Sequence, residues 1–370
     1  MRIVTVVSIA ALVTAFVVGC SSSDGGGGGS GAPPADAGTW TTSDGGATVD
    51  DASASGNDAS ANDATPPDGS TASDGAIASD AIAPPGALTP LQKHKAEMLT
   101  SIWENSTTVL QYPYCQNIHD GRGYTSGRAG FCSGTGDAIQ VVRCFGAAFG
   151  TGSNNPIAKY MPALTTIDNR FNSTGMDQGG TTELDAVGNY CTDWAATTNG
   201  AATSATFKAC QDRIVDLLYY QPALVLAKKW GLVTALTIAE LYDAEINHGD
   251  DGAIAIAKLA NNDTGNTAQR VPTAPLTLAQ ESAWLHAFLM RRLALLKADA
   301  TWAQSEDRVV TYERLRLDGN FDLGAQIRTN AKAITMFPGQ GYVDSGYPDC
   351  TISATGVAAG DASCTAQVGQ

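Results

Sequence analysis

The 370-residue sequence predicts an α+β fold, mainly α, with one small antiparallel sheet near the start of its folded part. Three observations predict it. Apolar residues recur at helical spacing in most segments after about residue 137. Residues 113–137 switch to Gly, Tyr, Thr and Ser with short apolar runs, the composition of short strands and tight turns. Residues 21–86, low in complexity, carry too few large apolar side chains to build a core.

Three regions follow from this. Residues 1–20 read as a signal peptide: Arg2, an apolar run, then Val17–Cys20, VVGC. The run is short for a membrane span. VVGC resembles a bacterial lipobox, in which the cysteine is lipidated. Cys20 is therefore expected to anchor the chain to a membrane, outside the cytoplasm, at the outer membrane or cell surface or in secreted form. Residues 21–86 are Gly-, Ser-, Asp- and Ala-rich, with ten Asp and no Lys or Arg. They are expected to form a disordered tether with an end-to-end distance of roughly 40–50 Å. Residues 87–370 remain as one folded domain. Without the ten tether aspartates and Arg2 it holds 27 acids against 21 bases. That balance argues against a nucleic-acid partner and suits a cationic polymer. A monomer is expected.

The first helix is expected around ALTPLQKHKAEMLTSIWEN, with Thr89 as cap and Pro90 in the first turn. The sheet follows at 113–137. Helices resume at DAIQVVRCFGAAF and near IAKYMPALTTI, and 172–205 reads as a long loop. Periodicity returns in CQDRIVDLLYYQPALVLAKKW and LVTALTIAELYDAEINHG, where His248–Gly249 ends a helix. Thr277 and Gln280 form a capping-box pattern ahead of the next helix. EDRVVTYERLRL is the last, stopping at Asp318–Gly319, and the tail beyond about 337 reads as irregular. Besides Cys20 there are seven cysteines, which suits an oxidising compartment. The expected bridges are Cys191–Cys210, Cys350–Cys364 and Cys115–Cys144, with Cys132 left over as a buried apolar side chain.

Two acids stand out. Glu104 falls in the last turn of its helix, where the helix dipole and the neighbouring Trp103 and Ile102 would raise its pKa, as a general acid requires. A solvated helix end explains the same residue. Asp120 opens DGRGYT, beside Arg122, which would keep a carboxylate ionised as a general base requires; an Asp-Gly turn explains it equally well. Thr125 offers a hydroxyl to hold a water. Paired carboxyls in different states are what glycosidic cleavage uses. GTGD at 134–137 lacks the context of a phosphate loop, the four His have no metal spacing, and no serine-hydrolase elbow is present. No cofactor or metal is expected.

Taken together, ENS at 104–106, DGRGYT at 120–125 and GFCSGTGD at 130–137 resemble the family-46 chitosanases of the lysozyme-like superfamily. YDAEINHG at 242–249, the Arg292 helix and the run from Arg308 fit the same family, over about 90–325. The resemblance implies a two-lobed, lysozyme-like fold and inverting endo-hydrolysis of β-1,4-linked glucosamine in chitosan. It implies Glu104 as acid, Asp120 as base and Thr125 as the group orienting water. Arg122, Tyr124, Asp137 and His248 would bind substrate or line the cleft. Asp243, Arg292 and Arg308 would form a buried charge network behind the acid. Gln116 stands where the family often carries a carboxylate, and the Glu104–Asp120 segment is about two residues shorter than is usual there. A muramidase or lytic transglycosylase using Glu104 alone, or a non-catalytic polysaccharide-binding lipoprotein, are the alternatives.

Overall fold

The computed structural model describes residues 86–266, 274–298, 305–329, 349–356 and 362–365. The expected signal segment, Cys20 and nearly all of the expected tether lie outside the described residues. The helix α1 (Pro90–Asn105) begins as read from its sequence: Gln92 N donates to Thr89 Oγ1 while Thr89 N donates to Gln92 Oε1, with Pro90 in the first turn. It ends where Ser106 takes the left-handed conformation and donates its N–H to Ile102 O at 2.9 Å. Leu99, Ile102 and Trp103 are fully buried, so Glu104 leaves the helix among apolar side chains.

The sheet lies where the composition changes. Strands β1 (Cys115–Asn117), β2 (Tyr124–Ser126) and β3 (Phe131–Cys132) pair antiparallel in that order, placing Thr125 opposite Gln116 and Cys132. Then come α2 (Ala138–Phe149), α3 (Met161–Thr174), α4 (Thr181–Asp185), α5 (Tyr190–Asn199), α6 (Ser204–Val215), a π-turn over Asp216–Tyr220, and α7 (Gln221–Trp230). The helix α8 (Ala235–Thr264) packs on α1, α7 and α9 (Leu278–Ala298); α10 (Glu306–Leu317) packs on α9 and α8. Gly249, at φ 69° and ψ 172°, breaks α8 next to His248, and helix resumes beyond it. The capping pair Thr277–Gln280 sits ahead of α9 as expected.

Three expectations are corrected. Residues 172–205 are not a long loop: α4 and α5 form there. Asn189 caps α5 by accepting from Thr192 N at 3.0 Å, and Tyr190 and Trp194, one turn apart, are fully buried. The bridges are Cys115–Cys191 and Cys144–Cys210 rather than Cys191–Cys210 and Cys115–Cys144, while Cys350–Cys364 is as expected. Because α5 and α6 are helices, Cys191 faces β1 and Cys210 faces α2, so the short loop cannot close between them. Cys132 is fully buried, as expected, but no described cysteine is free. Finally, there is a second sheet: β4 (Ile327–Arg328), β5 (Asp349–Ile352) and β6 (Ala362–Thr365), stapled by Cys350–Cys364.

Candidate active site

Helix α8 sets the back of the site. Glu240, Asp243 and Asn247 recur at three- and four-residue spacing, so they share one face. That face is fully buried against Arg292 of α9 and Arg308 of α10. Arg292 donates from Nη1 to Glu240 Oε1 at 2.8 Å and from Nη2 to Asn247 Oδ1 at 3.1 Å. Its Nη2 lies 2.8 Å from Asp243 Oδ2. Arg308 reaches the same Asp243 oxygen at 3.5 Å and donates from Nη2 to Glu104 Oε1 at 2.8 Å. Thr100 of α1 donates to Asp243 Oδ1 at 3.2 Å. Asp243 is therefore the hinge of a chain running Glu240–Arg292–Asp243–Arg308–Glu104.

Glu104 is not a solvated helix end: it is 8 % exposed. Burial pushes its carboxyl above the ordinary range, against the opposing pull of Arg308. Burial also pushes Glu240 up, to about 7. The charge balance explains both directions. Fully ionised, the three acids of the chain carry one negative charge more than its two guanidiniums, and a dry interior favours taking up a proton. His248 accepts at Nε2 from Arg292 Nε at 3.1 Å. Burial, then the Arg292 and Arg308 charges, hold it down to about 2, so it stays neutral across the working range.

The second group of candidates lies on the sheet. In the β1–β2 loop Asp120 Oδ1 accepts from Arg122 N at 3.0 Å, and Oδ2 accepts from Arg122 Nε at 2.9 Å. Thr125 is fully buried, its Oγ1 3.7 Å from Cys132 Sγ. Tyr124 donates to Asp185 Oδ1 at 2.7 Å. Asp137 caps α2, accepting from Ala138 N at 3.1 Å and Thr135 Oγ1 at 2.8 Å, and burial pushes it up to about 6. The loop at 176–180 covers this face. A Cβ on Gly134 would stand 1.7 Å from Gln178 O, so only glycine fits beneath it.

The structure thus gathers Glu104, Asp243, Arg292, Arg308 and His248 into one hydrogen-bonded group, while Asp120, Arg122, Tyr124 and Thr125 lie on the β1–β2 hairpin and Asp137 at the start of α2, with Asp120 and Arg122 the one pair among them joined side chain to side chain. No hydrogen bond joins Asp120 to Glu104. Tyr219, in the π-turn, feels charges from both groups. Burial raises its phenol well above the ordinary value, Asp137 and Glu104 raise it further, and Arg122 opposes them. Sequence reasoning did not single out Tyr219 or Glu240. The Tyr-Tyr-Gln-Pro run at 219–222 held the one available signal for Tyr219; Glu240 reads as an ordinary helix acid.

One acid on α8 belongs to neither group. Glu245 is fully buried, and both its carboxyl oxygens lack a hydrogen-bond partner. Burial, then Asp250, push it up to about 8. A raised carboxyl makes folding most favourable below the unfolded pKa, with stability falling as pH rises toward 8. Glu245→Gln is therefore expected to match the native protein near pH 4. At pH 7 it is expected to be more stable by on the order of 2 kcal/mol. Urea unfolding at the two pH values measures it, and an equal difference at both would contradict it.

Comparison with known proteins decides the family. The family model described as glycosyl hydrolase family 46 matches residues 98–327. The chain belongs to glycosyl hydrolase family 46. It is 35 % identical to a chitosanase of Bacillus subtilis over 256 residues, 66 % of this chain and 84 % of that one. It is 33 % identical to a chitosanase of a Streptomyces species over 247 residues, 65 % of this chain and 79 % of that one. Among solved structures it is similar to a variant chitosanase of Bacillus subtilis MY002 complexed with six glucosamine units. The TM-score is 0.54 at 34 % identity, covering 65 % of this chain and 95 % of that one. It is also similar to the family 46 chitosanase of Gynuella sunshinyii in complex with chitotetraose, with TM-score 0.54 at 31 % identity, covering 66 % and 97 %. This family 46 protein is accordingly a glycoside hydrolase with the lysozyme-like fold of those enzymes.

Proposed function

We propose that this enzyme cleaves β-1,4-linked glucosamine chains of chitosan at internal bonds with inversion, Glu104 acting as general acid and Asp120 as general base. The observation that carries the reading is the contrast between the two carboxyls. Glu104 sits in a dry helix end with its proton affinity raised, whereas Asp120 sits in a polar loop against Arg122. Two acids in opposed environments are what acid–base division requires. Glu104 gives its proton to the glycosidic oxygen as the bond to the anomeric carbon breaks. A water held by Thr125 attacks that carbon from the opposite face and passes its proton to Asp120. Exchange with solvent then returns Glu104 to its acid form and Asp120 to carboxylate. Arg122, Tyr124, Asp137 and His248 hold sugar units. The net negative charge of the domain suits protonated amines, and added salt would weaken that attraction.

Reducing-end release from chitosan and from peptidoglycan, measured side by side, tests the substrate class. Cleavage of chitosan alone is expected, and cleavage of peptidoglycan alone would overturn it. The VVGC motif and the composition of 21–86 support a further reading: an enzyme lipid-anchored through Cys20, working outside the cytoplasm at the outer membrane or cell surface. The three bridges among the described residues suit such a compartment. Palmitate labelling that vanishes in Cys20→Ser is the expected result; an unlabelled native protein would contradict it.

A further inference from the structure

The turn between β2 and β3, Gly127–Gly130, carries a guanidinium that the mechanism above does not use. Arg128 is 5 % exposed. It donates from Nη2 to Glu97 Oε1 of α1 at 2.9 Å, and its Nε lies 2.6 Å from Asp212 Oδ1 of α6. Each partner is itself held. Glu97 also pairs with Lys93 at 3.0 Å, and Asp212 Oδ1 accepts from Tyr112 Oη at 2.8 Å. Burial works against the Glu97 charge, but Arg128 and then Lys93 outweigh it and hold the carboxyl below its usual range. The turn itself cannot yield. Arg128 N donates to Gln211 Oε1 at 3.1 Å, and Gly127 N donates to Tyr114 O at 2.7 Å. A Cβ on Gly127, at φ 74°, would stand 2.5 Å from Gln211 Oε1 and 3.0 Å from Trp194.

Two positions fix what this cluster does. Glu97 precedes Glu104 by seven residues, which places the two on nearly the same face of α1, roughly 10 Å apart along its axis. Arg128 follows Thr125 by three residues in a hairpin whose turn is locked. One end of α1 is thus tied through Glu104 to Arg308, and its middle is tied through Glu97 to the hairpin that bears Thr125 and continues from the Asp120 loop.

We propose that Arg128 is a positioning residue for hydrolysis: bridging Glu97 and Asp212, it clamps the hairpin that carries Thr125 to the helix that carries Glu104, and so sets the place of the attacking water relative to the acid. The inference rests on the assignment of Thr125 as the water-orienting group. Lysine cannot span both carboxylates as a guanidinium does, because it offers one point charge in place of a planar fork.

The test is a double-mutant cycle on kcat with a glucosamine oligosaccharide, at a temperature well below the Tm of every variant. Arg128→Met is expected to lower kcat by about 10²-fold, the scale of an ångström-sized misplacement. KM is expected to stay within about twofold of native, and Arg128→Lys is expected to recover only part of the loss. In a Thr125→Ala background the same Arg128→Met change is expected to cost little more, since residues acting through one group are not additive. If Arg128→Met does not fold, Glu97→Gln, which keeps shape and an acceptor, replaces it in the same cycle with the same expectation. An unchanged kcat, or the full loss repeated in the Thr125→Ala background, would overturn the clamp and leave the role of Thr125 standing. A Thr125→Ala enzyme with native kcat would overturn the role of Thr125 and the clamp with it.

Discussion

Glu104→Gln is expected to lower kcat for chitosan by roughly 10²–10⁴-fold, the range over which general acid catalysis acts. Asp120→Asn is expected to lose activity on the same scale. The two substitutions should differ in stability. Glu104 lies in the dry end of α1 with its carboxyl pushed up by burial, so a neutral amide there removes a buried charge and keeps an oxygen to accept from Arg308. The Tm of Glu104→Gln should stay close to native. The pH dependence carries the sign of the same shift. An acid must be protonated to act, so kcat should fall as pH rises through the raised Glu104 value. The basic limb should therefore sit above the range of an ordinary glutamate. His248 contributes no limb of its own, since burial and the two guanidiniums keep it neutral. A basic limb at an ordinary carboxylate value, or one abolished by His248→Gln, would count against Glu104 as the acid.

Asp243→Asn is expected to be the most damaging substitution for stability. Asp243 is fully buried, and one of its oxygens faces both Arg292 and Arg308. Neutralising it leaves two buried guanidiniums sharing the remaining acids of the chain. Removing one partner of a buried charge group costs roughly 3–5 kcal/mol, and for a domain of this size that lowers the Tm by on the order of 10 °C. The effect should reach the site as well, because Arg308 is what Glu104 rests on. Calorimetry of Asp243→Asn beside the double variant Asp243→Asn/Arg308→Met resolves the cause. If the loss comes from two guanidiniums left facing each other across a neutral amide, the second substitution, which removes one of them, should recover part of it. An additive further loss would point instead to packing.

Local chemistry was legible in the sequence and long-range pairing was not. The Thr89–Gln92 cap, the position of Glu104 in the last turn of α1 and the Gly-rich sheet each depend on residues a few places apart, and each lies as read. The α5 helix was not legible. Its Thr, Asn and Gly neighbours read as loop, and what holds it is the burial of Tyr190 and Trp194 against other elements, a tertiary effect that outweighs local propensity. The expected pairs Cys191–Cys210 and Cys115–Cys144 failed for the same reason, since proximity in sequence favours near neighbours while α5 and α6 turn their cysteines to β1 and α2; the local pair Cys350–Cys364 held. At the site, Asp243, Arg292 and Arg308 were named only through family resemblance. Periodicity alone would have made them surface charges on helices. Glu240 and Arg128 escaped even that. A charged residue in a helix or a turn shows its burial only once the partners across the fold are known.

In the proposed mechanism two carboxyls, Glu104 and Asp120, act from opposite sides of the scissile bond with a water between the sugar and the base. Proton NMR of the first sugar product from a β-linked glucosamine hexamer, recorded before mutarotation, tests it most directly. The new reducing end is expected to appear first as the α-anomer and to convert toward the β-anomer only with time. A product that appears first as the β-anomer would mean retention, and would contradict the division of roles between Glu104 and Asp120.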